Sequence, residues 1–285
     1  DEFKKDRIIS VLKDAPRLLS GVTAVQGVIA ACQHAAPLRD PRWRTMLVSA
    51  GGRTTKHRVR LIFGIGHKAS EMFNAVAATA GPEGTSFTAD FSKADTTNDP
   101  RSASANLLAC VAECTSTPAF TAALNIAVED MRADQQFIIH PDKERRAKIT
   151  FTLPNEHAGT TTGSSTTGNG NTAYFLPLLG VVTAVAQALK GRDSVSSLGL
   201  SGDDSLGHTS PALDPEDLVD VAKRVFGANL EITGHGPGLF PLGGLSYSYC
   251  STDLLLPATE PFCARISVSR FVSKFNWVVG ANVEP

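Results

Sequence analysis

The chain has 285 residues, of which 42% are hydrophobic and 19% charged, and its formal net charge is -1. That length and apolar content support a large core, as one large domain or two smaller ones. The near-neutral balance excludes a global pull toward nucleic acid or membrane, so any basic surface must be local.

The five cysteines, Cys32, Cys110, Cys114, Cys250 and Cys263, are odd in number and lack a paired C-x-x-C spacing. They argue against a disulfide framework and a zinc site, and they suit a reducing compartment. Cys110 and Cys114 would share one side of a helix and read as core. No signal-peptide pattern opens the chain. It starts on Asp1 rather than a methionine and is expected to be a fragment of a longer protein.

Residues 1–40 hold helical patterns broken at Pro16 and Pro37. A basic cluster follows: Arg42, Arg44, Arg53, Lys56, His57, Arg58 and Arg60. Its end, Lys56 to Phe63, alternates basic and apolar residues as a strand does. One face then carries Lys56, Arg58 and Arg60. Such a row suits a triphosphate or a nucleic-acid backbone, or is simply a solvated charged strand. Gly66 to Ala80 reads as a helix. Thr85 to Phe91 reads as a strand with Asp90 at its end and Asp95 in the turn beyond. Ala103 to Met131 is mostly helical in pattern, and a strand pair is expected around Phe137 and Lys148 to Phe151.

Thr160 to Thr172 is rich in Gly, Ser and Thr. By composition it is a flexible linker. It also runs into the apolar segment Ala173 to Lys190, so it reads equally as a loop feeding a helix. Such a loop offers N–H groups and hydroxyls to a nucleic-acid backbone or a ribose. The apolar segment approaches the length of a membrane span, but Pro177, Gln187 and the polar lead-in favour a buried core helix.

Leu198 to Leu206 carries Gly202, Asp203 and Asp204 between apolar flanks and reads as a β-hairpin with an acidic tip. Two neighbouring carboxylates repel unless a cation sits between them. Mg²⁺, which takes oxygen ligands and holds substrate phosphates, is the natural guest. Asp214-Pro-Glu-Asp starts a helix that runs to Phe226 and stops at Gly227. Leu230 to Thr233 reads as a strand, Gly234 to Gly244 as turns, and Ser267 to Val279 as helical.

Three elements then fall in order: Asp90 and Asp95 after a strand; Gly163, Thr167, Asn171 and Thr172 before a helix; and Gly202-Asp203-Asp204 on a hairpin. With the basic strand upstream, this order resembles the palm motifs of RNA-dependent RNA polymerases of positive-strand RNA viruses. The resemblance covers roughly residues 50–280. The distal stretch Phe240 to Tyr247 and the later Cys263, Arg270 and Phe275 look most like nodaviruses and their relatives.

The resemblance implies an α+β fold, with a small antiparallel palm sheet backed by helices 173–190 and 215–226 and a partial, mostly helical fingers portion. Residues 1–84 would be fingers with the basic strand, and 85–96 palm. Residues 97–159 would be a fingers insertion, 160–250 palm again, and 251–285 the start of a thumb. It implies template-directed RNA synthesis from ribonucleoside triphosphates with two Mg²⁺ (or Mn²⁺) ions. Asp90 and Asp203 would bridge the ions, with Asp204 in support. Arg58 and Arg60 would hold the triphosphate. Asp95 and Asn171 would sense the ribose 2′-hydroxyl, with Thr167 nearby, and Gly163 would let its loop move. His235, in the Gly-rich stretch Thr233 to Gly238, is the expected general acid, with Lys223 as the competing donor.

The expected partners are an RNA template and nascent strand, ribonucleoside triphosphates and other replication components. The expected location is host cytoplasm, on membrane-associated complexes. Ser201 and Thr162 depart mildly from the family. A reverse transcriptase, a non-catalytic RNA-binding palm and a plain domain with an acidic turn are the rivals.

Overall fold

In the computed structural model the described residues are 46–51, 54–78, 80, 83–97, 134–139, 144, 146–154, 167–240, 247–254 and 264–266, with isolated positions between 118 and 129. The organising strand is β3 (Thr85–Phe91). Its alternation sends Phe87, Ala89 and Phe91 into one core, at 1%, 3% and 1% exposure, which leaves Thr88 and Asp90 on the opposite face.

Five further strands extend this one. These are β1 (Met46–Gly51), β2 (Lys56–Phe63), β6 (Ser194–Ser201), β7 (Asp204–Ser210) and β8 (Leu230–Pro237), and the sheet order is β1-β2-β6-β7-β3-β8. All pairs are antiparallel except β2 with β6, which run parallel. The sheet is therefore mixed and wider than the small antiparallel sheet expected. The basic strand β2, assigned by sequence to the fingers, is hydrogen-bonded into this central sheet.

The helices are α1 (Ala69–Ala77), the short α2 (Ala94–Thr97), α3 (Thr167–Leu189) and α4 (Pro215–Phe226). Together β3, α3, β6, β7, α4 and β8 form a βαββαβ unit. The α3 and α4 helices cover one face, where Phe175, Leu179, Val182, Leu218 and Ala222 pack on Leu61, Phe87, Leu198 and Leu200. On the other face α1 presents Met72, Phe73 and Val76 to Ile62 and Leu206, joined by Phe240, Tyr247 and Tyr249. The α+β class read from the sequence is the one the chain adopts.

Two smaller sheets stand apart. One pairs β4 (Gln135–Ile139) with β5 (Ile149–Leu153), where the strand pair was expected. The other joins β9 (Ser248–Tyr249), β10 (Thr252–Leu254) and β11 (Ala264–Ile266) in the order β11-β10-β9.

The α4 helix has the ends its sequence predicts. Asp214 accepts a hydrogen bond from Glu216 N at 3.0 Å, Pro215 occupies the first turn, and Gly227 closes the helix at φ 67. The α3 helix departs from expectation by starting at Thr167 instead of Ala173. Gly168 and Gly170 are poor helix formers, but the segment from Asn169 to Ala173 is buried, and tertiary burial overrides propensity. This helix is long and apolar enough to cross a membrane, yet 61% of its most apolar window is buried within the fold, as the core-helix reading predicted. The expected helix of Ala103 to Met131, apart from those isolated positions, and that of Ser267 to Val279 lie outside the described residues.

The β8 strand also runs further than expected. Gly234, Gly236 and Pro237, read as turns, continue the strand because β3 offers partners back to Thr85. A bulge accommodates them: Thr88 faces Gly234 and Ala89 faces Ile232, so Thr233 is the extra residue. Thr233 Oγ1 donates to Thr88 Oγ1 at 3.0 Å.

Candidate active site

The acidic tip is a two-residue turn. Ser201 faces Asp204, leaving Gly202 and Asp203 between β6 and β7. Gly202 sits at φ 70, a conformation that an L side chain adopts only with strain. Phe91 N donates to the Asp203 carbonyl at 3.3 Å, which docks the turn on the end of β3. In the same register Asp90 lies directly opposite Asp204. Opposed residues of antiparallel strands share a face, with Cβ atoms about 4.5–5.5 Å apart. Asp90 and Asp204 therefore converge at one end of the sheet, on the face away from α3 and α4, with Asp203 at the adjoining turn.

A third carboxylate, not singled out from sequence, extends the row. Glu231 on β8 faces Asp90 from the other side. In Leu230 to Thr233 it reads as the outward residue of an ordinary strand, and only the register reveals its place. Like charges on adjacent strands are destabilising, so this row favours a cation.

Among the described residues no three His, Cys, Asp or Glu side chains close into a ready-made metal cage. Mg²⁺ does not need one. It binds through one or two carboxylates and completes its shell with water and substrate phosphates. The hard-oxygen donors Asp90, Asp203 and Asp204 fit that pattern.

Two elements brace the carboxylates. The first is the β9–β10 hairpin, whose turn residues Cys250 and Ser251 both adopt left-handed conformations, φ 49 and 63. Desolvation first, and then the charge of Asp204, push the Cys250 thiol up to about 12. Desolvation holds the neighbouring Tyr249 phenol well above its usual range. Cys250-Ser251 contains no Gly or Asn, the residues that most readily take left-handed turn positions, so the turn signal there is only weak. Gly64 makes room for this hairpin: a Cβ there would meet the Tyr249 hydroxyl and lie 2.7 Å from the Leu200 carbonyl.

The second brace is the start of α3. Thr172 is fully buried. Its hydroxyl donates to the Gly168 carbonyl at 2.7 Å and accepts from Gly202 N at 2.7 Å. With its single proton committed to the helix, the oxygen presents a lone pair to the acidic turn. Thr172 was part of the sequence motif, but its clamping role was not legible there. Asn171 beside it is 3% exposed and Thr167 is half-buried.

Two expected residues, Arg58 and Arg60, are not drawn in. Arg58 and Arg60 lie on the same sheet face as the carboxylates, but Arg60 faces Ser197 and Arg58 faces Val195 on β6. Strand geometry puts Arg60 roughly 13 Å down β6 from the acidic turn and Arg58 further. Asp95 falls in α2, just past β3. Gly163 lies outside the described residues.

The expectation for His235 needs correction. It lies within β8, not in a loop, and faces Phe87 in the register. Phe87 points to the helix side. The bulge at Thr233 switches the alternation, so His235 also points that way and lines a groove with Pro215, Val219 and Lys223 of α4. His235 is on the opposite face from Asp90, and Lys223 lines the same groove. Neither can reach a group held by the carboxylates without the sheet between them.

No protein-family model and no curated protein matches the sequence. Among solved structures, an insertion-loop deletion mutant of the RNA-dependent RNA polymerase of a human picobirnavirus is similar at 16% identity and TM-score 0.46, over 72% of this chain and 36% of that one. A telomerase from Candida tropicalis, truncated from its C-terminal domain, is similar at 9% identity and TM-score 0.45, over 85% of this chain and 45% of that one. The RNA-dependent RNA polymerase of BmCPV at its elongation state is similar at 11% identity and TM-score 0.39, over 94% and 28%. The chain thus spans less than half the length of each. These likenesses are remote, and the functional reading below rests on the site itself.

Proposed function

We propose that this chain is the catalytic core of an RNA-dependent RNA polymerase, performing template-directed nucleotidyl transfer from ribonucleoside triphosphates in viral RNA replication. The observation that carries the reading is the register of the acidic strands. Asp90 and Asp204 oppose each other on β3 and β7, and the turn bearing Asp203 is tied to both β3 and α3.

Asp90, Asp203 and Asp204 would hold divalent cations, Mg²⁺ or Mn²⁺, which when bound supply charge neutralisation and activation of the attacking hydroxyl. The chain's own contribution is position. Phosphoryl transfer asks mainly for reactants held in line in a site that needs no rearrangement. The two-residue turn, the Phe91 amide and the Thr172 hydroxyl give Asp203 that fixity. Asn171 and Asp95 are assigned to the ribose, with Thr167 beside them. Arg58 and Arg60, being remote from the carboxylates, are assigned to the RNA backbone rather than to the triphosphate. No general acid is assigned to His235 or Lys223.

RNA template and nascent strand, ribonucleoside triphosphates and further replication components are the partners in this reading, and membrane-associated complexes in the host cytoplasm the place. The kinship to nodaviruses read from Phe240 to Tyr247 is no part of the support. The test is Mg²⁺-dependent incorporation by the full-length protein on an RNA template, with Asp203→Asn alongside. Asp203→Asn should lose most incorporation while keeping RNA affinity, since it removes a cation-holding charge and no contact to phosphate. Near-normal incorporation by that variant would sink the assignment. A preference for deoxynucleotides in the parent would favour the reverse-transcriptase rival instead.

A further inference from the structure

The β4–β5 hairpin forms a sheet of its own and shares no residue with the acidic site. Ile149 and Phe151 are two apart on β5, so they share a face. Both meet solvent: Ile149 is 56% exposed and Phe151 37%. Ile139 and Phe137 lie opposite them in the register. Two strands alone are marginally stable in water, and large apolar side chains grouped on their surface mark a contact surface.

The adjoining charge narrows the partner. Lys143, Arg145, Arg146 and Lys148 stand against the single anion Glu144 in this stretch, in a chain whose net charge is -1. Arg146 and Lys148 are both exposed. Arg146 is ion-paired with Glu144, and Lys148 leads directly into Ile149. Strand geometry puts Phe151 about 10 Å along the chain from Lys148. An exposed ring beside cations suits single-stranded nucleic acid, in which a base stacks on the ring and the backbone phosphates meet the cations. An acidic peptide would use the cations and leave the ring idle. A duplex keeps its bases stacked on one another, away from the ring. Stacking also tolerates any sequence, because every base has a π-face, and a template strand must be free to carry any sequence.

We propose that the β4–β5 hairpin is a binding surface for single-stranded RNA, with Phe151 as its stacking platform and Lys148 as a phosphate contact. The inference takes the identity of the strand from the polymerase reading above.

The test uses the full-length protein with Phe151→Leu, Phe151→Tyr and Lys148→Gln. Fluorescence anisotropy reads the affinity for a short labelled RNA of mixed sequence, single-stranded or annealed to its complement, over a range of salt concentrations. Thermal midpoints and nucleotide incorporation are measured alongside. Phe151→Leu keeps the apolar bulk and loses the ring. It should weaken single-strand binding about fivefold or more with little change in salt dependence, whereas Phe151→Tyr should bind as the parent does. Lys148→Gln should weaken binding and reduce the slope of log affinity against log salt by about 0.7, the loss of one phosphate contact. Being on an exposed residue, Lys148→Gln carries the test if Phe151→Leu does not fold. Parent-like RNA binding by both Phe151→Leu and Lys148→Gln overturns the inference and leaves the polymerase reading standing. A lowered midpoint in Phe151→Leu with RNA affinity unchanged also overturns it, and assigns the face to protein packing. Equal losses on single strand and duplex overturn the single-strand assignment. A parent that incorporates no nucleotide, with variants that still lose affinity for the single strand, overturns the polymerase reading and upholds the hairpin.

Discussion

Replacing Thr172 with valine keeps the shape of a fully buried side chain and deletes one oxygen. Two hydrogen bonds go with it, and they are unequal. The Gly168 carbonyl loses the Thr172 hydroxyl but keeps its place in the helical ladder, so that loss is small. The Gly202 amide loses its acceptor outright. A buried donor left unsatisfied costs about 1–3 kcal/mol. Gly202 is half-buried, so water recovers part of this and the expected cost is about 1–2 kcal/mol. For a domain of this size that corresponds to a fall in melting temperature of roughly 2–8 °C. The functional effect should exceed the thermodynamic one. The turn carrying Asp203 would keep its tie to Phe91 and lose its tie to α3, and small misplacements of a catalytic group cost up to about a hundredfold in rate. Thr172→Ser, which retains the oxygen, is the control. Urea unfolding and single-nucleotide incorporation of both variants are the assay. Equal stability and equal incorporation in Thr172→Val and Thr172→Ser would refute the clamp.

Stability should fall as pH drops below about 6.5, in part through His208. Burial lowers the folded-state pKa of His208, and its Nε2 has no partner, so between the folded and unfolded pKa values the unfolded chain binds the extra proton. His208→Gln should flatten that slope in urea melts taken from pH 8 to 5, and an unchanged slope would assign it to other groups. Gly207→Ala should destabilise by about 1–3 kcal/mol, because a Cβ there would stand 2.7 Å from both Leu198 Cδ2 and Phe87 Cζ in the middle of the sheet. Urea midpoints measure this, and a neutral substitution would mean that the sheet relaxes at little cost. His235→Ala should leave the rate and pH profile of incorporation unaltered, since the side chain lies on the far face of the sheet from Asp90. A lost titration near neutral pH would restore His235 as the general acid.

The features legible in the sequence are those whose cause is local. Asp214, Pro215 and Gly227 delimit α4 because a cap, a pre-set φ and a left-handed residue act within a turn of where they stand. Thr85 to Phe91 and the hairpin around Gly202 are read correctly for the same reason: alternation and a glycine turn need no distant partner. The acidic residues at the strand end and at the turn, Asp90, Asp203 and Asp204, could therefore be picked out before any register was known.

What only the tertiary structure decided is which distant segments meet and which face each residue takes. Glu231 joins the carboxylate row because β8 pairs with β3 at that register, and Arg58 and Arg60 are held back because β2 pairs parallel with β6. Thr172 becomes a clamp because α3 starts early, its glycines tolerated through burial. Cys250 comes to Asp204 through a turn that lacks the Gly or Asn usual at left-handed positions. His235 shows the limit most sharply. A single extra residue at Thr233 reverses the alternation of the strand, and since side chains point to opposite faces with period two, one bulge moves every later side chain across the sheet. The bulge is set by pairing with β3, more than a hundred residues away in the sequence, and local composition carries no record of it.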